Sequence, residues 1–328
     1  GTPWSPAMTA TLSPPVGRHG RALSSLSSPA ATGMAAGLAA ALIWATYMLF
    51  AKAGTTGGLL PQDFVLLRFG TAAAIMLPWL LRNNPRGLAG VGWRRGIILT
   101  LLAGPPFILL GTGGYLFAPL SHGAVIQPST IALGSMFAAG LLLGERPTLA
   151  KLAGTALIIA GLAVIASHAG AMGGGMVWIG DLLFVAAGLS WTGFTILIKR
   201  WELGALAVTG AVSTISALAI VPIMLIAGDL SRIAALPAPA LAAQFAVQGL
   251  LSGVVAVIAF GVAVRHLGAA KAGLFPAIVP AATLLLGGLS SGTLPAFFEI
   301  AGAALATLGL VTAVGLARPA PTPLSAEG

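Results

Sequence analysis

Ten times between residues 33 and 316 the chain runs for about 20 mostly apolar residues before a charge, a proline or a glycine cluster interrupts it. The stretches are 33–52, 61–81, 96–117, 121–143, 149–167, 176–198, 204–227, 241–264, 269–290 and 295–316. At ~1.5 Å of helical rise per residue, each matches the ~30 Å hydrocarbon layer of a bilayer. No water-soluble fold suits such a chain. Only 7% of its 328 residues are Asp, Glu, Lys or Arg, against about 25% in an ordinary soluble domain. An all-α polytopic membrane protein with ten transmembrane helices is the expectation. The chain has no cysteine, so disulfides, thiolate chemistry and cysteine-ligated metals are excluded.

The placement of charge tests this count. With the amino terminus in the cytoplasm, the inner segments hold Arg18, Arg21, Arg82, Arg86, Arg94, Arg95, Arg146, Lys151, Lys199, Arg200, Arg265, Lys271 and Arg318. The outer segments hold only Lys52 and Arg232. This is a positive-inside pattern, and a miscounted span would invert everything after it. The net charge of +9 therefore reads as topology signals. Its cations are scattered singly or in pairs, so a nucleic-acid partner is not expected. Residues 1–32 lack an apolar core and read as a cytoplasmic tail without a signal peptide. Residues 318–328 form a second, proline-punctuated cytoplasmic tail.

A repeat divides the spans. "LIWATYMLFAK" at 42–52 returns as "LSWTGFTILIK" at 189–199, aligning Trp44 with Trp191, Tyr47 with Phe194 and Lys52 with Lys199. One residue further out of phase, Pro128 meets Pro276, Pro147 meets Pro295, and "AGTALIIAGL" at 153–162 meets "AGAALATLGL" at 301–310. The repeats are 33–169 and 170–317, five spans each. Five is odd, so the second copy enters the membrane from the opposite side. Inverted repeats are a common transporter architecture, with two gates around one central cavity.

"LIWATYMLFAK", "LLRFG" at 66–70 and "LLLGERPTLAKLAGTALIIAGLAVI" at 141–165 resemble the EamA-type drug/metabolite transporter superfamily over about residues 33–316. Within it the chain is most similar to YddG-type exporters of aromatic and other neutral amino acids. The resemblance implies a helical basket that opens alternately to each face of the bacterial inner membrane. It implies a small-molecule substrate, an amino acid, and membrane lipid as the surroundings. No cofactor, metal or obligate protein partner is expected. One departure is visible: Gly144-Glu145 of the first copy becomes Gly292-Thr293 in the second.

Candidate substrate contacts are few in so apolar a chain. Trp44 and Trp191 lie deep in their spans, on the order of 12 Å from the nearest end. Tyr47 and Phe194 share their helix faces. Helix packing and an aromatic wall are both open readings of these four. Gln244, Gln248 and Ser252 form an i, i+4, i+8 stripe; Gln127, Ser129 and Thr130 surround Pro128. Amides and hydroxyls at this depth must face protein or water, as interhelical bonds or as substrate contacts. Arg68 is the deepest cation, placed either to snorkel toward Asp63 or to meet a carboxylate. Pro105, Pro106, Pro128, Pro276 and Pro280 each break the helical hydrogen-bond ladder and are candidate kinks or gates.

Every carboxylate sits near a span end or in the tail. A facilitated, uniport-like carrier is the expectation, with His122 at the outer mouth supplying a proton-coupled alternative. Rival classes are weaker. "GLSSG" at 288–292 matches a nucleophile pattern but lacks its strand–turn–helix setting. Zinc-protease and phosphate-loop motifs are absent. A channel would need charged rings or carbonyl filters. Small-residue pairs such as Gly33–Gly37, Gly140–Gly144 and Gly249–Gly253 mark close helix approach, within one protomer or between two.

Overall fold

A computed structural model describes residues 29–143, 148–167, 175–267, 272 and 275–315. Residues 1–28 of the first tail, the second tail, Glu145, Arg146 and Lys271 lie outside the described residues, as does the Gly144 half of the Gly140–Gly144 pair; residues 29–32, expected in the tail, begin the first helix. The described residues contain no strand. They form ten long helices: α1 (Pro29–Thr56), α2 (Pro61–Arg82), α3 (Trp93–Gly114), α4 (Leu120–Leu143), α5 (Leu149–Ser167), α6 (Val177–Arg200), α7 (Ala205–Ile226), α8 (Ala238–Leu267), α9 (Phe275–Ser291) and α10 (Phe297–Gly315). Six of them (α1, α2, α3, α6, α7 and α8) are long and apolar enough to cross a membrane. The apolar stretches of α5, α9 and α10 are shorter, at 10–17 residues.

Local chemistry sets several ends. Pro61 opens α2, where its missing N–H costs nothing. Asp63, two residues on, accepts from the Leu60 N–H at 2.8 Å, supplying half of a capping box. Helix α3 breaks at Gly104 and restarts on Pro105–Pro106. Helix α8 runs as a π-helix over Phe245–Val255 between two α-helical segments. α9 begins as a 3-10 turn, Phe275–Ile278, and becomes α-helical at Val279, with Pro280 in its first turn. Pro128, by contrast, stays inside an unbroken α4, with Ala124 losing its usual helical donor.

Close contacts fix the helix directions. Gly33 lies against Leu267 and Gly54 against Gln244, so α1 and α8 run antiparallel. Gly180 meets Ala118 while Gly193 meets Leu102, giving α6 and α3 the same relation. Gly210 of α7 meets Trp79 of α2. Gly188 meets Thr130 and Gly134 meets Thr192, so α4 and α6 run parallel.

The tightest seam joins α5 to α10. A Cβ on Gly154 would fall 2.6 Å from the Gly309 carbonyl oxygen, and one on Gly161 would fall 2.6 Å from that of Gly302. Gly154 is the repeat partner of Gly302, and Gly161 of Gly309, so the contact maps onto itself when the halves are exchanged. The Gly33–Gly37 pair seats Leu267 and Phe275, and Gly249–Gly253 seats Thr71 and Ala72. Both pairs serve packing within one protomer.

The two ends of the bundle differ in charge. One gathers Arg82, Arg86, Arg94, Arg95, Lys151, Lys199, Arg200 and Arg265. The other carries Lys52 and Arg232 with Asp63, Asp181, Asp229 and Glu299.

Candidate functional site

The centre of the bundle is built around Arg68. Its side chain is buried, at 7% exposure, and Nη2 donates to the Ser252 carbonyl at 3.2 Å. The guanidinium carbon lies 5.4 Å from the Tyr47 ring centre and 5.9 Å from that of Phe69. The expected outward reach toward Asp63 does not occur. Five residues along a helix is a turn of about 140°, so the two side chains leave different faces of α2. Asp63 instead receives Arg232 Nε at 2.9 Å and Nη2 at 3.2 Å. Among the described residues no carboxylate forms an ion pair with Arg68.

The α8 stripe meets this arginine. Gln244 Nε2 donates to the Phe50 carbonyl at 3.0 Å, and Gln248 Nε2 donates to Gln244 Oε1 at 3.2 Å. Gln248 Oε1 and Ser252 Oγ are buried and find no partner within the protein. Gln248 and Ser252 both lie in the π-helical segment, a local irregularity often found at functional sites. From the other side, Tyr47 Oη and Gln127 Oε1 converge on Gly111, 3.9 Å and 3.6 Å from where its Cβ would stand. Helices α1, α2, α3, α4 and α8 thus contribute to one polar cluster. Ser129 lies two residues beyond Gln127 on α4, buried, with Oγ unpartnered.

The aromatics form two groups. Trp44 stands 5.4 Å from Phe260 of α8. Trp191 stands 5.1 Å from Phe107 of α3 and 5.0 Å from Phe194. Each repeat-related tryptophan therefore meets a phenylalanine from the irregular helix of the other repeat, α8 or α3. Phe107 directly follows the Pro105–Pro106 break. Both tryptophans are half-buried, and Tyr47 and Phe194 are buried. Pro280 is buried and Pro276 half-buried at the start of α9, beside the Phe275 ring that covers Gly37.

Two hollows lie toward the ends of the bundle. One of about 670 Å³ opens at the Arg-rich end, among Trp79, Asn83, Ala89, Gly204 and Leu206. Another of about 300 Å³ lies at the opposite end, among Leu284, Gly288, Leu289, Thr293 and Pro295. None of the predicted contact residues lines either.

Two cross-repeat pairs escaped the sequence reading. The first is Asp63 with Arg232, where the hydrogen bonds that Arg232 donates to Asp63 hold the guanidinium pKa above its ordinary value. The second is His122 Nδ1 with Asp181 Oδ1, at 2.7 Å. Their partners are 169 and 59 residues apart, and no local pattern links them. The serines of "GLSSG" have a structural use: Ser290 and Ser291 donate to the carbonyls of Gly287 and Gly288 at the end of α9.

Among curated proteins, none matches the chain. A crystal structure of another protein superposes with a TM-score of 0.60 at 20% identity, covering 89% of this chain and 100% of that one. At that identity the likeness concerns the fold alone. The EamA-like transporter family matches residues 31–167 and again 178–315. Both repeats are thus accounted for, and the chain belongs to the EamA-like transporter family of membrane transporters.

Proposed function

We propose that this transporter exports neutral amino acids, with a preference for aromatic or bulky apolar side chains, as in YddG-type carriers. Ten spans cross the bacterial inner membrane, both termini are cytoplasmic, and the Arg-rich end faces inward. The inverted repeats rock against one another to expose the centre to each side in turn.

One observation carries the choice of substrate. Among the described residues Arg68 is a buried guanidinium without a carboxylate partner, bonded to the Ser252 carbonyl in the α8 segment that carries the unpartnered Gln248 Oε1 and Ser252 Oγ. A buried charge of this kind is retained for a ligand far more readily than for stability. A guanidinium suits the planar carboxylate of an amino acid, and unpartnered acceptors such as Gln248 Oε1 suit its ammonium group. The Trp44–Phe260 and Trp191–Phe107 groups suit an apolar side chain. Sugars, nucleosides and simple organic cations lack the carboxylate.

Counterflow of radiolabelled phenylalanine in proteoliposomes tests this reading. Arg68→Ala should weaken phenylalanine competition by about 10–100-fold, the usual worth of a hydrogen bond to a charged group. Competition by phenylalaninamide, which lacks the carboxylate, should be weak in the wild type and unchanged by the substitution. Equal loss for both compounds, or no loss for either, would remove Arg68 from the carboxylate site. In the same assay Trp44→Ala and Trp191→Ala should lower affinity for phenylalanine more than for alanine.

A further inference from the structure

We propose that His122 and Asp181 form a proton-binding site that couples export to proton entry, one proton inward for each zwitterionic amino acid outward. The proposal rests on the carrier reading above and adds its driving force.

His122 is fully buried, at 0% exposure. Its Nδ1 lies 2.7 Å from Asp181 Oδ1, while Nε2 is buried and unpartnered within the protein. The pair joins the first turn of α4, in one repeat, to the second turn of α6, in the other. Relative motion of the repeats would make and break it. Asp181 keeps 22% of its side chain exposed, so the pair touches both the rim and the interior. Histidine is the side chain whose charge changes most readily near neutral pH.

The surroundings extend this site inward. Tyr115 Oη, Ser121 Oγ and Ser129 Oγ are likewise buried and unpartnered. The Tyr115 ring closes over Gly123, its Oη 2.5 Å from where a Cβ would stand. Ser129 is seven residues from His122, on nearly the same face of α4 and about 10 Å deeper. Unpartnered buried polar atoms in a row are suited to a hydrogen-bonded line of water. Gln127 is five residues from His122 and two from Ser129, so this line lies on a different face of α4 from the proposed substrate cluster, and the motion of the repeats links the two.

Other charged groups near the pair are few. Lys52 of α1 donates to the Tyr115 and Ala118 carbonyls, just before α4 begins. Helix α9 carries no ionisable side chain. In α10, Glu299 accepts from the Ala296 N–H at its own helix start. The ionisable groups of α3, α5 and α6 besides Tyr115 and Asp181 (Arg94, Arg95, Lys151, Lys199 and Arg200) lie at the opposite end.

The cycle balances as follows. With the outer side open, the pair separates, the amino acid leaves, and neutral His122 takes a proton from outside. Closure forms the imidazolium–carboxylate pair. With the inner side open, the pair separates again and an amino acid enters near Gln127. The proton then leaves along the polar line to the cytoplasm. One positive charge moves inward per cycle.

The test uses the full chain in proteoliposomes with the membrane potential clamped, radiolabelled phenylalanine as the substrate and an entrapped pH dye. Vesicles one pH unit more acidic inside should accumulate phenylalanine up to about tenfold, the limit for one-to-one exchange, with one proton leaving per molecule. His122→Gln and Asp181→Asn should each abolish accumulation while keeping counterflow within about threefold of wild type, and Asp181→Glu should restore part of the accumulation. Wild-type counterflow without pH-driven accumulation would overturn the coupling and leave the carrier reading intact. Wild-type accumulation in either His122→Gln or Asp181→Asn would overturn the site. Loss of counterflow in both would assign the pair a structural role, and so would also count against it. Absent counterflow in the wild type would instead sink the carrier reading itself.

Discussion

Helices α5 and α10 meet backbone to backbone, whereas α2 meets α8, and α4 meets α6, through buried polar side chains. At the first seam, Gly154, Gly161, Gly302 and Gly309 bring each helix against the other's carbonyls. Without much hydrophobic force between helices in lipid, this close approach is what holds such an interface. At the other seams stand Arg68, Gln248, Ser252, His122 and Ser129, several with atoms that find no partner. Each such atom costs about 1–3 kcal/mol. Both kinds of seam join one repeat to the other, yet one is closed by backbone contact and the other keeps buried polar atoms without partners among the described residues. Rocking of the repeats is therefore expected to pivot near α5–α10 and to open elsewhere.

The largest effect should come from breaking the pivot. Gly161→Leu places a side chain where the Gly302 carbonyl already stands, and backbone cannot yield as a flexible side chain would. A loss of about 3 kcal/mol or more is expected, read as a lower unfolding midpoint in detergent. An unchanged midpoint would mean the α5–α10 contact is not the rigid seam.

A smaller effect should come from the latch between Asp63 and Arg232 at the Arg-poor end. Asp63→Arg should favour the conformation open at that end, and the exchanged pair Asp63→Arg with Arg232→Asp should recover part of the closed state. Because the chain has no cysteine, single cysteines introduced on the α2 and α7 faces report this opening by labelling rate. Equal labelling in all three proteins would leave the pair a local cap of α2.

Asp229→Asn should do least. Its carboxyl is fully exposed and held below the ordinary range, chiefly by hydrogen bonds from Ser231 and to a lesser extent by Arg232. A depressed carboxyl contributes stability above its unfolded-state pKa and loses it as pH falls through the folded value. Any difference in stability from wild type should therefore be present at neutral pH and vanish as pH falls below about 4. A neutral-pH change in transport would tie the 227–237 segment into the moving seams.

Much of this was legible in the chain. Apolar stretches of ~20 residues fix helices because every backbone N–H and C=O must be satisfied internally in lipid, and the helix positions follow the stretches closely. At the ninth, predicted from 269, residues 269–271, 273 and 274 lie outside the described residues, and the helix is described from Phe275. The repeat pairs, from Trp44 with Trp191 to Gly154 with Gly302, need only sequence to be seen. The partners of the side chains were not legible. Arg68 was set between Asp63 and a ligand because both lie within reach along the chain, yet helix rotation turns Asp63 toward Arg232. Ser252 showed its polarity but not the bond that its carbonyl accepts from Arg68, 184 residues away in sequence.

Periodicity and charge bias act locally, through hydrogen-bond satisfaction and burial, so the sequence alone determined a membrane-embedded helical chain with two related halves. The tertiary structure decided which polar atoms are left without partners. That follows from how helices distant in sequence rotate and cross, and it separates the glycine seam from the polar ones.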